Sequence, residues 1–269
     1  MKIIVAIKQV PERDARIRID GQAKWIDLQD VEFNLNESDA YALEEALLLK
    51  EAHGGEVVVI SAGPERVGKT IREALAKGAD RAIHIESVDE NELSAYDALG
   101  VAKLLAAAID EETEAPDLVL TGLQSDDLGL GQTGVILAEL LGLPHASLIL
   151  KIEKTGTGIK VLRELEDGWF QHLELPTPAL LTIQSGNTKL RYATLMGIKR
   201  AKAKEVRRVT VSELLSADPQ PEFKPSAPVV TLDKVMLPHK QRTTQLLTGS
   251  PAEAAAALVE KLQFEVRAL

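Results

Sequence analysis

The sequence lacks cysteine altogether, has few aromatic residues and contains no long apolar run. The absence of cysteine excludes disulfide bonds, thiolate metal sites, iron–sulfur ligation and a cysteine nucleophile, so any redox role requires a bound organic cofactor. Aromatic residues make up 3% of the chain and the formal net charge is -10, which argues against a nucleic-acid-binding surface built on stacking and positive charge. No apolar run approaches the roughly 20 residues that a membrane span requires.

The sequence also lacks a recognisable catalytic arrangement. The five histidines are scattered, with no helical pair and no carboxylate cluster beside them, which argues against a metal site. No Gly-x-Ser-x-Gly elbow is present. The first residues form an apolar strand pattern rather than a basic leader with a cleavage site, so we expect no secretory signal. These features favour a carrier component over an enzyme.

The first two thirds of the chain alternate short apolar runs with amphipathic segments, the pattern of a parallel sheet covered by helices. We therefore predict an α/β fold with a doubly wound, mostly parallel sheet, Rossmann-like and of the adenine-nucleotide-binding type. The predicted strands cover residues 2–7, 56–61, 81–85, 117–121 and 147–153. The predicted helices run from an N-cap at residue 36 to about residue 53, and over residues 65–77, 94–110 and 131–141.

Local signals define individual helix ends. Asn36 has the residue type of an N-cap, with Glu37 and Asp39 in the positive first turn, so we expect it to cap the first helix. Residues 250–253, Ser-Pro-Ala-Glu, have the pattern of a capping box with proline at the first helical position. A C-terminal helix is therefore predicted to begin there.

The pattern changes after residue 153. We predict a β-hairpin extension at residues 160–165 and 169–174, and a further strand at residues 179–184. Four prolines between residues 219 and 228 mark an extended linker. The nucleotide-binding α/β domain is therefore placed at residues 1–210, and the proline-rich linker with its C-terminal arm at residues 211–269. A short helix on such a linker is marginal in water unless it packs, either on its own domain or on another chain.

Two glycine-containing motifs match nucleotide-binding patterns. Residues 63–70, Gly-Pro-Glu-Arg-Val-Gly-Lys-Thr, spell a P-loop between a predicted strand and a helix. Against that function, Glu65 would place a carboxylate near the phosphate, Pro64 lacks an N–H donor, and later strands do not end in the Asp that helps to hold Mg²⁺. Residues 129–134, Gly-Leu-Gly-Gln-Thr-Gly, spell a dinucleotide fingerprint that stands several residues beyond its strand. Glycines followed by a helix start still suit a phosphate.

The densest cluster of positive charge lies near the end of the predicted domain. Residues 189–208 contain eight basic residues and one acid, in a chain of net charge -10. Leu195 and Tyr192 precede the main run of lysines and arginines. An apolar tip beside a basic cluster suits docking to an acidic protein partner, where opposite charges mainly raise the encounter rate. The alternative is a solvated basic helix with an ordinary leucine.

The Arg-Tyr-Ala-Thr-Leu run at residues 191–195, with the lysine-rich helix start after it, resembles the recognition loop of electron transfer flavoprotein β subunits. The resemblance covers residues 1–210 and includes the segments at residues 44–46, 71–75, 78–81 and 162–164. It implies a heterodimer whose α subunit holds most of the FAD, and which carries electrons from flavin dehydrogenases to a quinone-linked oxidoreductase. In that family the leucine that matches Leu195 fills an apolar pocket on partner dehydrogenases. The expected docking residues are Arg191, Tyr192, Leu195, Lys199, Arg200 and Lys202.

The resemblance also implies a structural AMP site in the loop at residues 124–134. Gln132, Thr133 and Gly134 would hold the phosphate, and Asp126 or Asp127 would accept hydrogen bonds from the ribose. Residues at neighbouring strand ends would line the adenosine. The expected cofactor-binding residues are Ala6, Asn36, Ala62, Gly63, Asp126, Asp127, Gly129, Gly131, Gln132, Thr133 and Gly134.

Alternatives remain inside and outside the family. Bifurcating members bind a second FAD in place of AMP, but their loop tends to carry Val at the position of Thr133 and Pro where this chain has Val135. The family often has aromatic residues near Arg13 and Ser38; neither is aromatic here, so direct flavin contact from this chain is not expected. Outside the family, the alternatives are a P-loop NTPase and a stress-type nucleotide-binding module. The implied location is the prokaryotic cytoplasm, or the mitochondrial matrix in a eukaryote, without nucleic-acid binding or membrane insertion.

Overall fold

The computed structural model describes residues 1–87, 96–186, 188–217, 228–237 and 244–266. Within these ranges the strands are β1 (Lys2–Ala6), β2 (Gln9–Pro11), β3 (Phe33–Leu35), β4 (Glu56–Gly63), β5 (Arg81–Glu86), β6 (Leu118–Gly122), β7 (His145–Lys154), β8 (Gly158–Glu164), β9 (Phe170–Pro176), β10 (Ala179–Ile183) and β11 (Val206–Thr210). The helices are α1 (Glu37–His53), α2 (Val67–Lys77), α3 (Ala98–Asp110), α4 (Thr133–Leu140), α5 (Leu195–Ala201), α6 (Val211–Ala217) and α7 (Pro251–Lys261).

A nine-stranded sheet organises the fold, in the order β11-β5-β4-β1-β6-β10-β7-β8-β9. The strands from β11 to β7 pair in parallel, and β8 and β9 continue the sheet as an antiparallel extension. The predicted doubly wound, mostly parallel sheet with a hairpin extension is confirmed. A short antiparallel ribbon of β2 and β3 lies beside the end of β1 and has no counterpart in the predicted strands.

Each face of the sheet buries its own apolar cluster. Successive side chains of a strand point to opposite faces of the sheet, so each central strand contributes residues to both clusters. In β1, Ile3 packs on the side of α1 and α2, and Ile4 packs on the side of α3 and α4. Central parallel strands covered on both faces are apolar almost throughout, as in Val57–Ile60. The two helical layers thus fix the strand ends where ligands bind in such folds.

The ends of several elements differ from the sequence predictions. The described part of α3 begins at Ala98, with Asp97 as N-cap accepting from Gly100 N at 2.9 Å; the predicted start at residue 94 lies outside the described residues. The capping box at residues 250–253 is confirmed. Residue 211, where we expect the linker to begin, starts α6, whose Leu214 is buried against the α3 side. Most of the predicted proline-rich linker, residues 218–227, lies outside the described residues.

An ion-pair network ties the amino ends of the central strands together. Arg81 Nη2 lies 2.5 Å and Lys2 Nζ 2.9 Å from Glu112 Oε2, and Arg81 Nε also donates to Glu56 Oε1 at 2.8 Å. Burial opposes ionisation of Glu112, but the hydrogen bonds and charges of Arg81 and Lys2 outweigh it and lower its pKa to about 2. Glu112 therefore stays ionised in the folded protein well into acid.

Glu112→Gln is expected to lower the free energy of unfolding at neutral pH by about 2 kcal/mol, between the values typical of exposed and buried pairs. The folded pKa lies below the unfolded value of 4.5, so this stabilisation is present above pH 4.5 and is lost as the pH falls through about 2. Urea unfolding at neutral and at acid pH measures the difference. Glu114→Gln, at an exposed neighbour, is the control; a Glu112 effect that did not shrink in acid would contradict the assignment.

Candidate functional site

The sheet has a topological switch point beside β1. The chain leaves β1 through α1 to β4 on one side, and β6 lies on the other side of β1. Ligands of open α/β sheets bind in the crevice at the carboxyl ends of strands where the order reverses. Ala6, Gly63 and Gly122 end the three strands that meet there.

The loop after β6 is fastened to the start of α1 by hydrogen bonds in both directions. Asn36 Nδ2 donates to Gln124 O at 2.9 Å, and Ser38 Oγ donates to the same carbonyl at 2.6 Å. Asp126 N donates to Asn36 Oδ1 at 2.9 Å, while Asp126 Oδ2 accepts from Glu37 N at 3.2 Å. Asn36 is buried, so these bonds set the loop's position against α1.

The predicted N-cap position of Asn36 is confirmed, but the helix is not capped by its side chain. The side-chain amide of Asn36 instead bonds to the loop after β6. The carboxylate of Asp126 accepts from Glu37 N, the first N–H of the helix. A cap taken from a distant segment is invisible to local pattern reading, because it depends on which loop the fold brings alongside.

Asp127 is held by a lysine that follows β1. Lys8 Nζ lies 2.6 Å from Asp127 Oδ2, and the second carboxylate oxygen accepts from Leu128 N at 2.7 Å. Burial opposes the ionisation of Asp127, but the positive charge of Lys8 and the hydrogen bonds prevail and lower its pKa. The carboxylate at this edge of the crevice is therefore charged and fixed in place.

Asp39 joins the ends of β1 and β6. Its Oδ2 accepts from Lys8 N at 2.7 Å and its Oδ1 accepts from Gly122 N at 2.9 Å. A Cβ on Gly122 would lie 2.3 Å from Asp39 Oδ1, so only glycine permits this approach. Burial raises the pKa of Asp39 to about 7, against the lowering effect of these hydrogen bonds. The carboxyl thus spaces the two strands that frame the crevice.

Asp39→Asn is expected to lower the free energy of unfolding by about 1–3 kcal/mol, because an amide offers one oxygen where two backbone N–H groups need acceptors. One of those N–H groups would face the new NH₂. Urea unfolding measures the loss, and Asp14→Asn, at an exposed position, is the control. Equal stability of the two variants would show that the paired acceptors are not needed.

Glycines shape the end of the crevice expected to hold phosphate. Gly129 and Gly131 have φ of +63° and +62°, which bend the loop back toward the start of α4. A Cβ on Gly134 would lie 2.6 Å from Thr121 Oγ1, so α4 approaches β6 closely because that residue has no side chain. The first amides of a helix have no acceptor within it, and together with the positive end of the helix dipole they suit an anion.

The segment that spells a P-loop does not form a phosphate cradle. Its amides are used locally: Val67 N donates to Pro64 O at 2.9 Å, and Gly68 N donates to Glu65 O at 3.0 Å. The hydroxyl of Thr70, which would bind Mg²⁺ in a P-loop, is buried and accepts from Gln9 Nε2 at 2.8 Å. The segment matches the P-loop sequence pattern but lacks the nest of free backbone amides that binds phosphate in a P-loop.

A second surface lies on α5, away from the crevice. Leu195, the first residue of α5, is 89% exposed, and Tyr192 just before it is 91% exposed. Both are far more exposed than apolar residues of their size usually are, and they lie only three positions apart in the sequence. The basic residues Lys199, Arg200 and Lys202 are also exposed.

The helix α5 is held rigidly against α2. Arg72 Nη1 donates to Ala201 O at 2.7 Å and to Lys204 O at 2.9 Å, which satisfies carbonyls at the end of α5. In return, Lys204 Nζ donates to Leu75 O at 3.0 Å and to Ala79 O near the end of α2. These reciprocal bonds act at the carboxyl ends of both helices, where cations are favoured.

The start of α5 is fixed as well. Thr194 caps the helix by accepting from Gly197 N at 3.0 Å, and a Cβ on Gly197 would lie 2.3 Å from Ala76 O of α2. Arg191 forms ion pairs with α1, its Nη2 2.8 Å from Glu44 Oε1 and its Nη1 2.6 Å from Glu51 Oε1. The guanidinium of Arg191 thus anchors the loop to its own domain, and Leu195 projects from a fixed base.

Known proteins resemble this chain over most of its length. The electron transfer flavoprotein domain model matches residues 24–214. The chain is 38% identical over 267 residues to the electron transfer flavoprotein subunit beta of Methylophilus methylotrophus, covering 97% of both chains. It is 33% identical to the subunit beta of Bacillus subtilis over the full length of both, and 37% identical over 217 residues to the mitochondrial subunit beta of Arabidopsis thaliana, covering 80% of this chain and 83% of that protein. The chain belongs to the electron transfer flavoprotein family.

Family membership gives context to residues that were not predicted as site residues from the sequence. Lys8, Asp39 and Ser38 all bond within the crevice expected to hold the nucleotide, and Arg72 supports the expected docking helix. Lys8 directly follows the first apolar strand, and residues at the carboxyl ends of strands often contact ligands in α/β folds. Its position in the sequence could therefore have indicated a site residue. Asp39 was credited only with a favourable helix-dipole position. Their roles in an electron transfer flavoprotein, like those of the predicted site residues, stay predictions.

Proposed function

We propose that this chain is the β subunit of a heterodimeric electron transfer flavoprotein, carrying electrons from flavin dehydrogenases to a quinone-linked oxidoreductase. It acts as a carrier component rather than an enzyme. The observation that carries this proposal is the exposure of Leu195, 89%, on a helix held by bonds at both ends and flanked by basic residues. A fixed apolar anchor lowers the ordering cost of docking, and the charges speed encounter with acidic partners.

The proposed cofactors are AMP on this chain and FAD held mainly by the α subunit. Support for AMP comes from the crevice: a fastened loop, a charged Asp127 and a glycine-rich helix start at the switch point. Thr133 adds a hydroxyl at the first turn of α4. The bifurcating alternative, with FAD in this crevice, is disfavoured by Thr133 and Val135 at the start of α4.

The two functions outside the family receive less support. The amides of the P-loop-like segment are used in local turns, so an NTPase would lack its phosphate cradle. A stress-type module would not account for the exposed leucine beside a basic cluster. None of the helices in the described part of the chain is both long and apolar enough to cross a membrane. Since the relatives include a mitochondrial protein, we propose the bacterial cytoplasm or the mitochondrial matrix as the location.

The C-terminal arm is proposed to pack on the α subunit. No described residue of α7 is buried, and Leu258, Val259 and Phe264 leave apolar surface open along α7 and the turn after it. The preceding segment stays on its own domain, where Val229 N donates to Asp97 Oδ2 at 2.8 Å and Val235 N donates to Ala23 O at 2.8 Å. A helix this short gains stability by covering its apolar side, which a partner subunit would provide.

Released nucleotides test the proposal directly. The chain is purified with its partner subunit, the complex is denatured, and the released nucleotides are identified by chromatography and mass. One FAD with one AMP per heterodimer would support the simple carrier, and two FAD would make it a bifurcating protein. ATP or GTP without flavin, or a homodimer with bound ATP, would overturn the proposed function.

A further inference from the structure

The end of the crevice expected to receive a phosphate is bordered by acidic side chains. The loop after β6 and the start of α1 bring four carboxyl groups together there, those of Glu37, Asp39, Asp126 and Asp127. Two cations contact this group: Arg13 pairs with Glu37, and Lys8 pairs with Asp127. An anion is repelled from such a place unless the negative charge is compensated. The charge balance of this network therefore bears on the proposed AMP site.

Lys8 joins the end of β1 to this network at two points. Its backbone N donates to Asp39 Oδ2 at 2.7 Å, which fixes the base of the side chain. Its Nζ lies 2.7 Å from Asp127 Oδ1 and 2.6 Å from Asp127 Oδ2, so one ammonium contacts both oxygens of the carboxylate. The side chain of Asp127 is 11% exposed and that of Lys8 is 41% exposed. The ion pair thus lies at the rim of the crevice, with its acidic partner turned inward.

The loop that carries Asp127 closes on itself before α4 begins. Gly129 N donates to Ser125 O at 2.8 Å, and a Cβ on Gly131 would lie 3.5 Å from Leu123 O. The chain therefore turns back between Asp127 and the first residues of α4, which are expected to hold the phosphate. Salt screens partly buried charges much less than exposed ones. The charge of Asp127 can thus act on an anion at the start of α4.

We propose that Lys8 is the counter-ion that allows this crevice to accept a phosphate, a positioning residue that acts through Asp127. The proposal rests on the proposed AMP site and assigns it a further residue. With Lys8 in place, Asp127 accepts from Leu128 N and holds the loop while its negative charge is compensated. Without Lys8, the same carboxylate is largely buried and unpaired, which is costly, and it opposes the incoming anion.

The protonation of Asp127 reports on the role of Lys8. Burial opposes the ionisation of Asp127, and the charge and hydrogen bond of Lys8 outweigh burial and lower its pKa. Removal of the ammonium leaves burial and the neighbouring negative charges to raise that pKa. The charged neighbours on the loop, on α1 and after β2 are Asp126, Glu37, Asp39 and the paired Arg13. Protonated Asp127 no longer repels the phosphate, so AMP binding becomes coupled to proton uptake once Lys8 is lost.

Lys8→Met in the heterodimer tests the proposal by equilibrium dialysis against radiolabelled AMP. We expect the variant to bind AMP about tenfold more weakly than the wild type at about pH 8, the effect of one uncompensated charge. The deficit should shrink as the pH is lowered toward about 5, because Asp127 takes up a proton. The ratio of variant to wild-type affinity at each pH is the readout, since it cancels the titration of the phosphate itself. Lys154→Met, at an exposed position on β7, is the control and should keep the wild-type affinity.

A second substitution, Asp127→Asn, made in the Lys8→Met variant, separates charge from packing. The amide oxygen of asparagine can still accept from Leu128 N, but the side chain carries no charge. AMP affinity should return most of the way to the wild-type value and lose the pH dependence of its ratio to wild type.

A double variant as weak as Lys8→Met would show that Lys8 merely holds the loop, and would overturn the proposal. Wild-type affinity in Lys8→Met would overturn it as well. Burial raises the pKa of Asp39 to about 7 and the charge of Lys8 opposes that shift, so a pH dependence that persists in the double variant would assign the effect to Asp39 instead. A wild-type heterodimer that binds no AMP would overturn the proposed AMP site, and this proposal with it.

Discussion

Leu195→Ala is expected to lower kcat/KM for reduction of the flavoprotein by its dehydrogenase by about 30-fold, the effect of removing one interface hot spot. The side chain is 89% exposed, so its loss removes little contact within the chain. Its energetic role arises only when a partner covers it, because burial of apolar surface from water is what stabilises docking. Flavin content and the thermal midpoint should therefore stay unchanged while the reduction rate falls.

The control is an exposed leucine on the segment that bonds to Asp97, the N-cap of α3. Leu232→Ala, 49% exposed on that segment, removes the same atoms and should leave the reduction rate unaltered. Raising the salt concentration should slow both the wild type and Leu195→Ala, since the steering by Lys199, Arg200 and Lys202 is screened independently of the anchor. Wild-type kinetics in Leu195→Ala would remove the anchor role, and equal slowing in Leu232→Ala would show a general effect on the chain.

The sheet could be predicted from the sequence because its signals are local. Runs such as residues 57–60 are apolar throughout, as strands buried on both faces must be, and glycines such as Gly54 and Gly78 mark the helix ends. β11 was not predicted, because its residues Val206–Thr210 include two arginines and were assigned to the cluster of positive charge at residues 189–208. An edge strand needs few apolar residues, so hydropathy alone does not reveal it.

The site could be predicted only where family motifs and strand ends coincide. The crevice position follows from the doubly wound topology, so Ala6 and Gly134 were expected near one another. The contacts that hold the loop after β6 could not be predicted. The bonds of Asn36 to Gln124 and Asp126 join segments about ninety residues apart in the chain, and local sequence does not show such pairings. The ion pairs of Arg191 with α1 were hidden for the same reason: local sequence gives its charge but not its partner.

Gly134→Ala is expected to lower AMP affinity by about tenfold to a hundredfold, as well as destabilising the fold by about 1–3 kcal/mol through overpacking. The added Cβ would lie 2.6 Å from Thr121 Oγ1 and 2.7 Å from Thr182 Cγ2. Both neighbours are β-branched residues on central strands, and their side chains have few alternative rotamers. The start of α4 must therefore move away from β6, which carries its first amides out of line with the phosphate.

Gly68→Ala is the matched control, because Gly68 is also the second residue of its helix and a Cβ there meets nothing within 4 Å. It should keep AMP and leave stability equal or slightly improved, as alanine is the better helix former. Retained AMP after dialysis, measured per heterodimer, separates the two variants. Full AMP retention in Gly134→Ala would mean that the phosphate is held by the loop alone, through Gly129 and Gly131, and that the close approach of α4 to β6 serves packing instead.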